Sequence, residues 1–292
     1  MRHLIFDEIL SKEPIKKGWS DDQKYCATTK DGTKYLLRVA AIDKSRRCKV
    51  LSSILEKLSI LNVPMCKLIE IGECQQGTYT LYEWIEGLDA EDVLPFLPIA
   101  EQYQYGLEAG QIVRQIHSIK APKDQECWHT RFNRKTDLKI QAYKGCGVRF
   151  PGDMKVITYL ENHRNAFIDR PQSFQHGDYH IGNMMLAHDK LMIIDFERYD
   201  FGDPWEEFNR IVWCAQLAPP FAKGIIDGYF DYKPPRNFWE CLAFYIASNT
   251  LSSIYWALSL GKKDLDIMMK QSQDVLLWYD GFKNIIPSWY EV

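Results

Sequence analysis

The feature that most constrains the fold is a change of hydrophobic periodicity near Glu86. Before this point, apolar and polar residues predict strands from Ile15 to Val39, and the dipeptide Asp31-Gly32, between the strands at residues 24–29 and 34–39, predicts a two-residue hairpin turn. After it, apolar residues recur at spacings of three and four, which is typical of helices. The chain is therefore expected to combine a β-rich first part with a mainly helical second part.

One helix is predicted inside the β-rich part. It begins near Ser45, has apolar residues on one face, and ends before Pro64. Two further strands are predicted over residues 67–72 and 78–83, so the helix lies between the third and fourth strands of this part. The later helical stretches are residues 103–119, 154–167, 238–260 and 265–279. We expect an α+β fold with two lobes, formed by residues 1–85 and 86–292.

Composition excludes several classes of protein. The 46% hydrophobic and 26% charged residues are ordinary for a globular protein with a sizeable core. The first residues do not resemble a signal peptide, and no run of about 18 apolar residues predicts a membrane helix, so we expect a cytoplasmic protein. Eight scattered cysteines show no metal-binding or redox spacing, which favours free thiols. The net charge of -3 argues against a nucleic-acid partner.

The charge is distributed unevenly along the chain. Basic residues exceed acidic residues up to Arg149, and acidic residues exceed basic residues after it. A triphosphate would prefer the first part, and a cationic small molecule the second.

The chemistry is predicted by one motif and its spacing. The run HGDYHIGN places Asp178 and Asn183 five positions apart, and Asp195 follows twelve positions later, after a short apolar strand. In protein kinases, a catalytic aspartate and a metal-binding asparagine have the same spacing, and a second metal-binding aspartate ends a later strand. Taken singly, each of these residues is as easily explained as a turn former or a cap. Their joint arrangement predicts phosphoryl transfer.

These residue types suit that reaction. Phosphoryl transfer needs a carboxylate that orients and deprotonates the acceptor hydroxyl, which is the role predicted for Asp178. It also needs hard oxygen donors for Mg²⁺, which the amide of Asn183 and the carboxylate of Asp195 supply.

The motif resembles that of the aminoglycoside phosphotransferases and their choline-kinase-like relatives, whose signature is close to HGD-x-H-x-x-N followed by IDF or IDW. The resemblance continues through Gly202-Asp203-Pro204 and covers the chain from about Ile15 to the last helices. It implies a bilobal protein-kinase-like fold that binds ATP or GTP and Mg²⁺. Residues 1–85 then form the nucleotide-binding lobe, and residues 86–292 form the catalytic and acceptor-binding lobe.

The resemblance also implies a nucleotide site. Arg38 occupies the place of the phosphate-contacting lysine, and an arginine can bind phosphate oxygens in bidentate fashion. Glu56 is the expected partner of this cation, although a solvent-exposed helix glutamate explains it almost as well. Main-chain groups from Glu83 to Ile85 are expected to hold the nucleobase, and a phosphate-covering loop is expected near residues 18–22.

Acidic residues after Asp195 suggest a cationic acceptor. Glu197, Asp200, Glu206 and Glu207 are candidates for binding the amines of an aminoglycoside, with helix caps and a solvated face as an equal alternative. The second enzyme hypothesis is a metabolic kinase for choline, an amino-alcohol or a sugar. A kinase-like binding module without catalysis is the third, and the presence of all three motif residues disfavours it.

Overall fold

The computed structural model describes residues 4–18 and 21–291. Trp19 and Ser20, which belong to the predicted phosphate-covering loop, lie outside the described residues. The chain divides into two compact units, unit 1 (Met1–Asp89 with Met184–Glu197) and unit 2 (Ala90–Asn183 with Arg198–Val292). The lobe division at residues 85 and 86 stays a prediction.

Strands predominate up to residue 89, and α-helices predominate after it. Among the described residues the strands are β1 Ile9–Pro14, β2 Gln23–Thr29, β3 Lys34–Ala40, β4 Leu68–Cys74, β5 Gly77–Glu83, β6 Leu88–Asp89, β7 Ser173–Gln175, β8 Met184–Ala187, β9 Lys190–Ile193 and β10 Asp200–Gly202. The α-helices are α1 Ser45–Ile60, α2 Ala90–Val93, α3 Ile99–Ile116, α4 Trp128–Gly145, α5 Asp153–Asn162, α6 Ile211–Leu217, α7 Pro219–Phe230, α8 Arg236–Leu258 and α9 Lys262–Trp278.

Unit 1 is built on an antiparallel sheet with the strand order β1-β2-β3-β5-β4. The connection between β2 and β3 lies where Asp31-Gly32 predicts it, but it spans residues 30–33 and is therefore longer than the predicted two-residue turn. The Asp31 carboxylate stabilises it by accepting hydrogen bonds from the Thr29 hydroxyl and the Thr33 amide, at 2.6 and 3.1 Å. Gly32 has φ +87°, a conformation that glycine adopts without strain. This hairpin fixes the register of β3.

One face of α1 is buried in unit 1. Its buried residues are Leu51, Ile54, Leu55 and Leu58, spaced as the sequence predicts. A second sheet with the order β6-β8-β9 completes this unit, and β9 leads directly to Asp195. The helix is the element between the third and fourth strands, as expected from the sequence.

Unit 2 is mainly helical. Helices α3 and α7 approach closely because glycines face each other: a Cβ on Gly106 would lie 2.3 Å from the carbonyl oxygen of Phe221, and one on Gly110 would lie 2.2 Å from that of Ile225. Such distances exclude any larger residue at these positions unless the helices separate.

Helix α8 is buried over most of its length and anchors the segment that follows β10. The Tyr245 hydroxyl donates to Asp203 at 2.7 Å and accepts from the Trp128 indole at 2.9 Å, while Arg170 pairs with Asp203 at 2.9 Å. This network is fully buried at Asp203 and fixes the backbone just before Glu206.

Two predictions made from the composition can be compared with the structure. All eight cysteines are free thiols, as expected. No helix in the described part of the chain has both the length and the apolar character to cross a membrane.

Candidate active site

Arg38 forms the centre of a charged cluster in unit 1. It lies in β3 and is only 4% exposed. Its guanidinium pairs with Asp22 at 3.1 Å, Asp195 at 3.0 Å and Glu197 at 2.8 Å. Although burial disfavours the charged form, the charges of Glu197 and the two aspartates raise the pKa of Arg38 above its usual value. Arg38 is therefore always positively charged, and three carboxyl groups surround its guanidinium.

Asp195 and Glu197 share this cation, and their pKa values are shifted in opposite directions. Burial opposes ionisation of Asp195, but its hydrogen bond with Glu197 and the charge of Arg38 lower its pKa to about 2. Burial raises the pKa of Glu197 to about 8, despite the nearby charge of Arg38. The Tyr82 hydroxyl donates to Glu197 at 3.2 Å. Asp195 therefore ionises before Glu197 as the pH rises.

The backbone of Asp195 is held in an uncommon conformation. Its φ is +66°, in the left-handed region that residues other than glycine, asparagine and aspartate seldom adopt. Its side chain keeps about a third of its surface exposed, at 32%. Aspartate adopts this region more readily than most residues, and such backbone conformations are frequent at functional positions.

Asp195 and Asn183, taken each in its own unit, present oxygen atoms of the type that binds a magnesium ion. Asp195 presents an ionised, accessible carboxylate. The side-chain amide nitrogen of Asn183 donates to the Asp178 carbonyl at 2.8 Å, so its amide oxygen is directed elsewhere and can accept. Hard oxygen donors of this kind are the ligands that Mg²⁺ prefers.

Glu207 holds the loop that carries Asp178 in unit 2. Its buried carboxylate accepts from the backbone amides of Gly177 at 2.9 Å and Tyr179 at 3.3 Å. The Asp178 amide donates to Nδ1 of the fully buried His176 at 3.2 Å. The backbone amides of Gly177, Asp178 and Tyr179 are therefore all held by hydrogen bonds. These hydrogen bonds orient the side chain of Asp178.

Asp178 is surrounded by positive charge. Arg210 Nε lies 3.2 Å from its carboxylate, and Arg198 Nε and His180 Nε2 each lie 3.7 Å from it. Burial alone would raise the pKa of Asp178, but the hydrogen bond with His180 and the charge of Arg210 lower it well below its usual value. The carboxylate is therefore ionised at neutral pH. Such a group orients a hydroxyl strongly and accepts its proton late in the reaction.

Gly177→Ala should destabilise the protein by about 2 to 4 kcal/mol, measured as the free energy of unfolding in urea. Gly177 has φ +84°, and a Cβ there would lie 2.2 Å from the carbonyl oxygen of Arg198. Gly147→Ala is a matched control, because Gly147 has φ +79° and open space around it. The control should lose only about 1 kcal/mol. Equal losses in the two variants would show that the Arg198 contact does not constrain the loop.

The four acidic residues predicted to bind the acceptor make different contacts in the structure. Glu197 belongs to the Arg38 cluster, and Glu207 supports the Asp178 loop. Asp200 pairs with Arg131 at 3.3 Å, and Glu206 accepts from Gln175 at 3.2 Å. Of the four, Asp200 and Glu206 are the half-buried residues of unit 2, so these two are the better placed for a soluble ligand.

The predicted nucleotide residues Glu56, Glu83 and Ile85 are also located in unit 1. Glu56 lies on the exposed side of α1 and does not join the Arg38 cluster, which recruits Asp22, Asp195 and Glu197. Glu83 ends β5, and its amide donates to the Lys67 carbonyl at 2.9 Å. Within the described residues, the main chain of Ile85 makes no hydrogen bond, so its groups can pair with a ligand. The nucleotide roles of these residues stay predictions.

Several residues around Arg38 and around Asp178 were not predicted from the sequence. The sequence predicts Asp22 only as part of a loop, and it predicts no role for Arg198 or Arg210. Arg198 immediately follows the IDFE motif, and Arg210 follows the acidic run, so position next to a motif was the available signal. No periodic pattern shows that both guanidinium groups turn toward Asp178.

Comparison with known proteins identifies the family. The family model described as the phosphotransferase enzyme family (APH) matches residues 12–239. The chain belongs to the phosphotransferase enzyme family. It is therefore a kinase-type phosphotransferase, as the motif spacing predicted. A comparison of the sequence with curated proteins gives no match.

Solved structures of similar fold agree with this assignment. The aminoglycoside phosphotransferase APH(4)-Ia, as a thermostable mutant, matches with a TM-score of 0.65 at 16% identity, over 93% of this chain and 95% of that one. A choline/ethanolamine kinase family protein from Mesorhizobium loti matches with a TM-score of 0.68 at 15% identity, over 94% and 91% of the two chains. The amicoumacin kinase hAmiN matches with a TM-score of 0.64 at 11% identity, over 94% and 90%. The predicted α+β, kinase-like fold is confirmed.

This member of the phosphotransferase family differs from the pattern expected for it in one respect. The cation of the third strand was expected to pair with Glu56 on the following helix. Arg38 instead pairs with Asp195 and Glu197, on either side of Phe196 in the motif itself. The metal-binding candidate and the phosphate-binding candidate of unit 1 are therefore coupled directly.

Proposed function

We propose that this protein transfers the γ-phosphoryl group of ATP or GTP to a hydroxyl group of a small molecule, and that Asp178 orients and deprotonates that hydroxyl. The observation that carries the proposal is the state of Asp178. Its carboxylate is ionised, lies between Arg210, Arg198 and His180, and follows a backbone fixed by Glu207. An acceptor hydroxyl needs a fixed anionic partner of this kind to attack in line.

Nucleotide binding is assigned to unit 1. Arg38 supplies the cation for the phosphate oxygens, and the free main chain of Ile85 supplies hydrogen bonds for the nucleobase, together with that of Glu83. A solved complex of the similar aminoglycoside phosphotransferase contains ADP and hygromycin B, and the amicoumacin kinase complex contains AMP-PNP. These complexes support a nucleoside triphosphate as the donor.

Asn183 and Asp195 are the proposed ligands of Mg²⁺. When bound, the ion neutralises charge on the transferring phosphates and positions them. Asp195 remains ionised because Arg38 and Glu197 lower its pKa, so it is ready to bind a cation at neutral pH. Asn183 contributes a neutral oxygen while its amide nitrogen holds the Asp178 carbonyl.

The proposed acceptor is a small molecule that carries an amine, such as an aminoglycoside. We propose that Glu206 and Asp200, two half-buried carboxylates of unit 2, bind the ammonium group. A metabolic kinase for choline, an amino-alcohol or a sugar is the alternative.

Acceptor-dependent release of ADP or GDP tests this proposal. Aminoglycosides, choline-like amino-alcohols and neutral sugars are offered with ATP or GTP and Mg²⁺. We expect release to exceed the acceptor-free rate for an amine-bearing class, and Glu206→Gln to raise KM for it with less change in kcat. Release stimulated by neutral sugars and unaffected by Glu206→Gln would contradict the amine assignment.

A further inference from the structure

Lys24 lies on the same face of the sheet of unit 1 as Arg38. The two residues are direct partners in the pairing of β2 with β3. Their neighbours Tyr25, Leu37 and Val39 belong to the apolar core on one face of the sheet, and successive side chains of a strand point to opposite faces. Lys24 and Arg38 therefore share the other face, where the Cβ atoms of opposed residues are about 4.5 to 5.5 Å apart.

The positive charge of Arg38 is already compensated. Its guanidinium pairs with Asp22, Asp195 and Glu197 at distances of 2.8 to 3.1 Å. Lys44 joins the same cluster, because its ammonium group pairs with Asp22 at 2.7 Å. Two cations thus face three carboxyl groups, so this cluster offers no excess positive charge to a triphosphate.

Lys24 brings a cation that is not compensated in this way. Within residues 4–18 and 21–291, no carboxylate pairs with its ammonium group. The group donates to the main-chain carbonyl of Lys17 at 2.6 Å, and a Cβ on Gly18 would lie 3.0 Å from its Nζ atom. An ammonium group has three N–H donors, and the described residues use one of them. The free charge therefore lies at the start of the predicted phosphate-covering loop.

Lys24 is also near the proposed metal ligand of unit 1. Its cross-strand partner Arg38 lies 3.0 Å from the Asp195 carboxylate. The hydrogen bond with Glu197 and the charge of Arg38 lower the pKa of Asp195 against the effect of burial, and the charge of Lys24 adds to them. A cation beside a metal ligand is in place for the phosphates that the metal ion holds.

We propose that the ammonium group of Lys24 binds phosphate oxygens of the donor nucleotide. This inference rests on the proposed function and adds to it a residue from β2, the strand next to Arg38. Arg38 shares its charge with three carboxyl groups and is then the weaker phosphate contact of the two. A lysine ammonium has rotatable donors on a flexible stem, so it can follow a phosphate whose position changes during transfer.

Calorimetric titration of the full chain with ATP and with adenosine tests the proposal without an acceptor. Both ligands are titrated in the absence and presence of Mg²⁺, and the guanine series replaces them if GTP binds more tightly than ATP. Lys24→Met should weaken ATP binding by about 10- to 100-fold, the effect of one charge-assisted hydrogen bond, and leave adenosine binding unchanged. Lys24→Arg should retain most of the affinity for ATP, because it keeps the charge.

Lys30→Met is the matched control. Lys30 is an exposed lysine of the same β2–β3 hairpin, so its substitution removes the same formal charge from unit 1. This variant should bind ATP like the natural protein. Added sodium chloride should weaken ATP binding by the natural protein more than by Lys24→Met, because salt screens the interaction that the variant lacks. Lys24→Gln is titrated in the same way if Lys24→Met fails to fold.

Two results would overturn the inference. One is equal ATP affinity in Lys24→Met and the natural protein, and the other is a parallel loss of ATP and adenosine affinity, which would show a structural role. Asp178→Asn should keep the ATP affinity that depends on Lys24 even though it abolishes transfer. Failure of the phosphate contact and failure of the proposed reaction therefore give different results.

Discussion

Asp178→Asn lowers kcat for phosphoryl transfer by about 10² to 10⁴-fold, the contribution typical of a positioned base, and leaves nucleotide affinity within a few-fold of that of the natural protein. The amide has nearly the same shape but carries no negative charge, so it orients the acceptor hydroxyl poorly and does not accept its proton. The supporting contacts of the loop remain, because Glu207 and His176 bind backbone groups. The Arg38 cluster of unit 1 is also unchanged.

Steady-state kinetics and nucleotide titration of the same preparations measure this prediction. Asp266→Asn is the matched control, since Asp266 is an exposed aspartate of α9. The control should retain full kcat. An Asp178→Asn variant with the turnover of the natural protein would eliminate Asp178 as the base, and one that fails to fold by circular dichroism would indicate a structural role.

Asp195→Asn lowers Mg²⁺-dependent turnover by at least about 100-fold, with a large loss of Mg²⁺-dependent nucleotide affinity. The substitution removes the anionic oxygen donor and also one partner of Arg38. Binding of the nucleotide without metal should change less, because Arg38 retains Glu197 and Asp22 as partners and keeps its position in β3.

Titration of Mg²⁺ against nucleotide binding and turnover measures the second prediction. Asp43→Asn, at an exposed aspartate of unit 1, is the control and should behave like the natural protein. If Asp195→Asn kept the same half-saturating Mg²⁺ concentration, Asp195 would not be a metal ligand. A uniform loss of nucleotide affinity with and without Mg²⁺ would assign it to the support of Arg38 instead.

Local chemistry made several elements of the fold predictable. Asp31-Gly32 specifies its turn through side-chain and backbone preferences that act within four residues. The apolar stripe of α1 is regular enough to identify the helix and its buried face. By contrast, β1 lies before the predicted strands and was not predicted. Its side chains are mostly exposed, so it has no apolar pattern, and only its pairing with β2 identifies it as a strand.

Helix α4 was not predicted, for a related reason. Its buried positions are Trp128, Phe132, Thr136, Ile140 and Tyr143, and polar or charged residues occupy most positions between them. Tertiary packing of that narrow stripe against α8 stabilises the helix, a contribution that a scan of periodicity does not capture.

Some residues of the candidate site could also be predicted from the sequence, and others could not. Asp178, Asn183 and Asp195 could be predicted because their spacing along the chain encodes a loop, a strand and an aspartate after it. The partners of Arg38 could not, since Asp22 and Glu197 are remote from it in sequence and meet it through the fold of unit 1. Long-range ion pairs depend on the register of β3 and the path after β9.

Mass spectrometry of an acceptor after incubation with the protein, Mg²⁺ and ATP or GTP is the most direct test of the central claim. The account predicts that the acceptor gains one phosphoryl group, that the nucleotide becomes the diphosphate in equal amount, and that Asp178→Asn abolishes both changes. Saturable nucleotide binding with neither phosphate release nor a phosphorylated product, across amine-bearing, acidic and neutral hydroxyl compounds, would contradict it and indicate a kinase-like binding module.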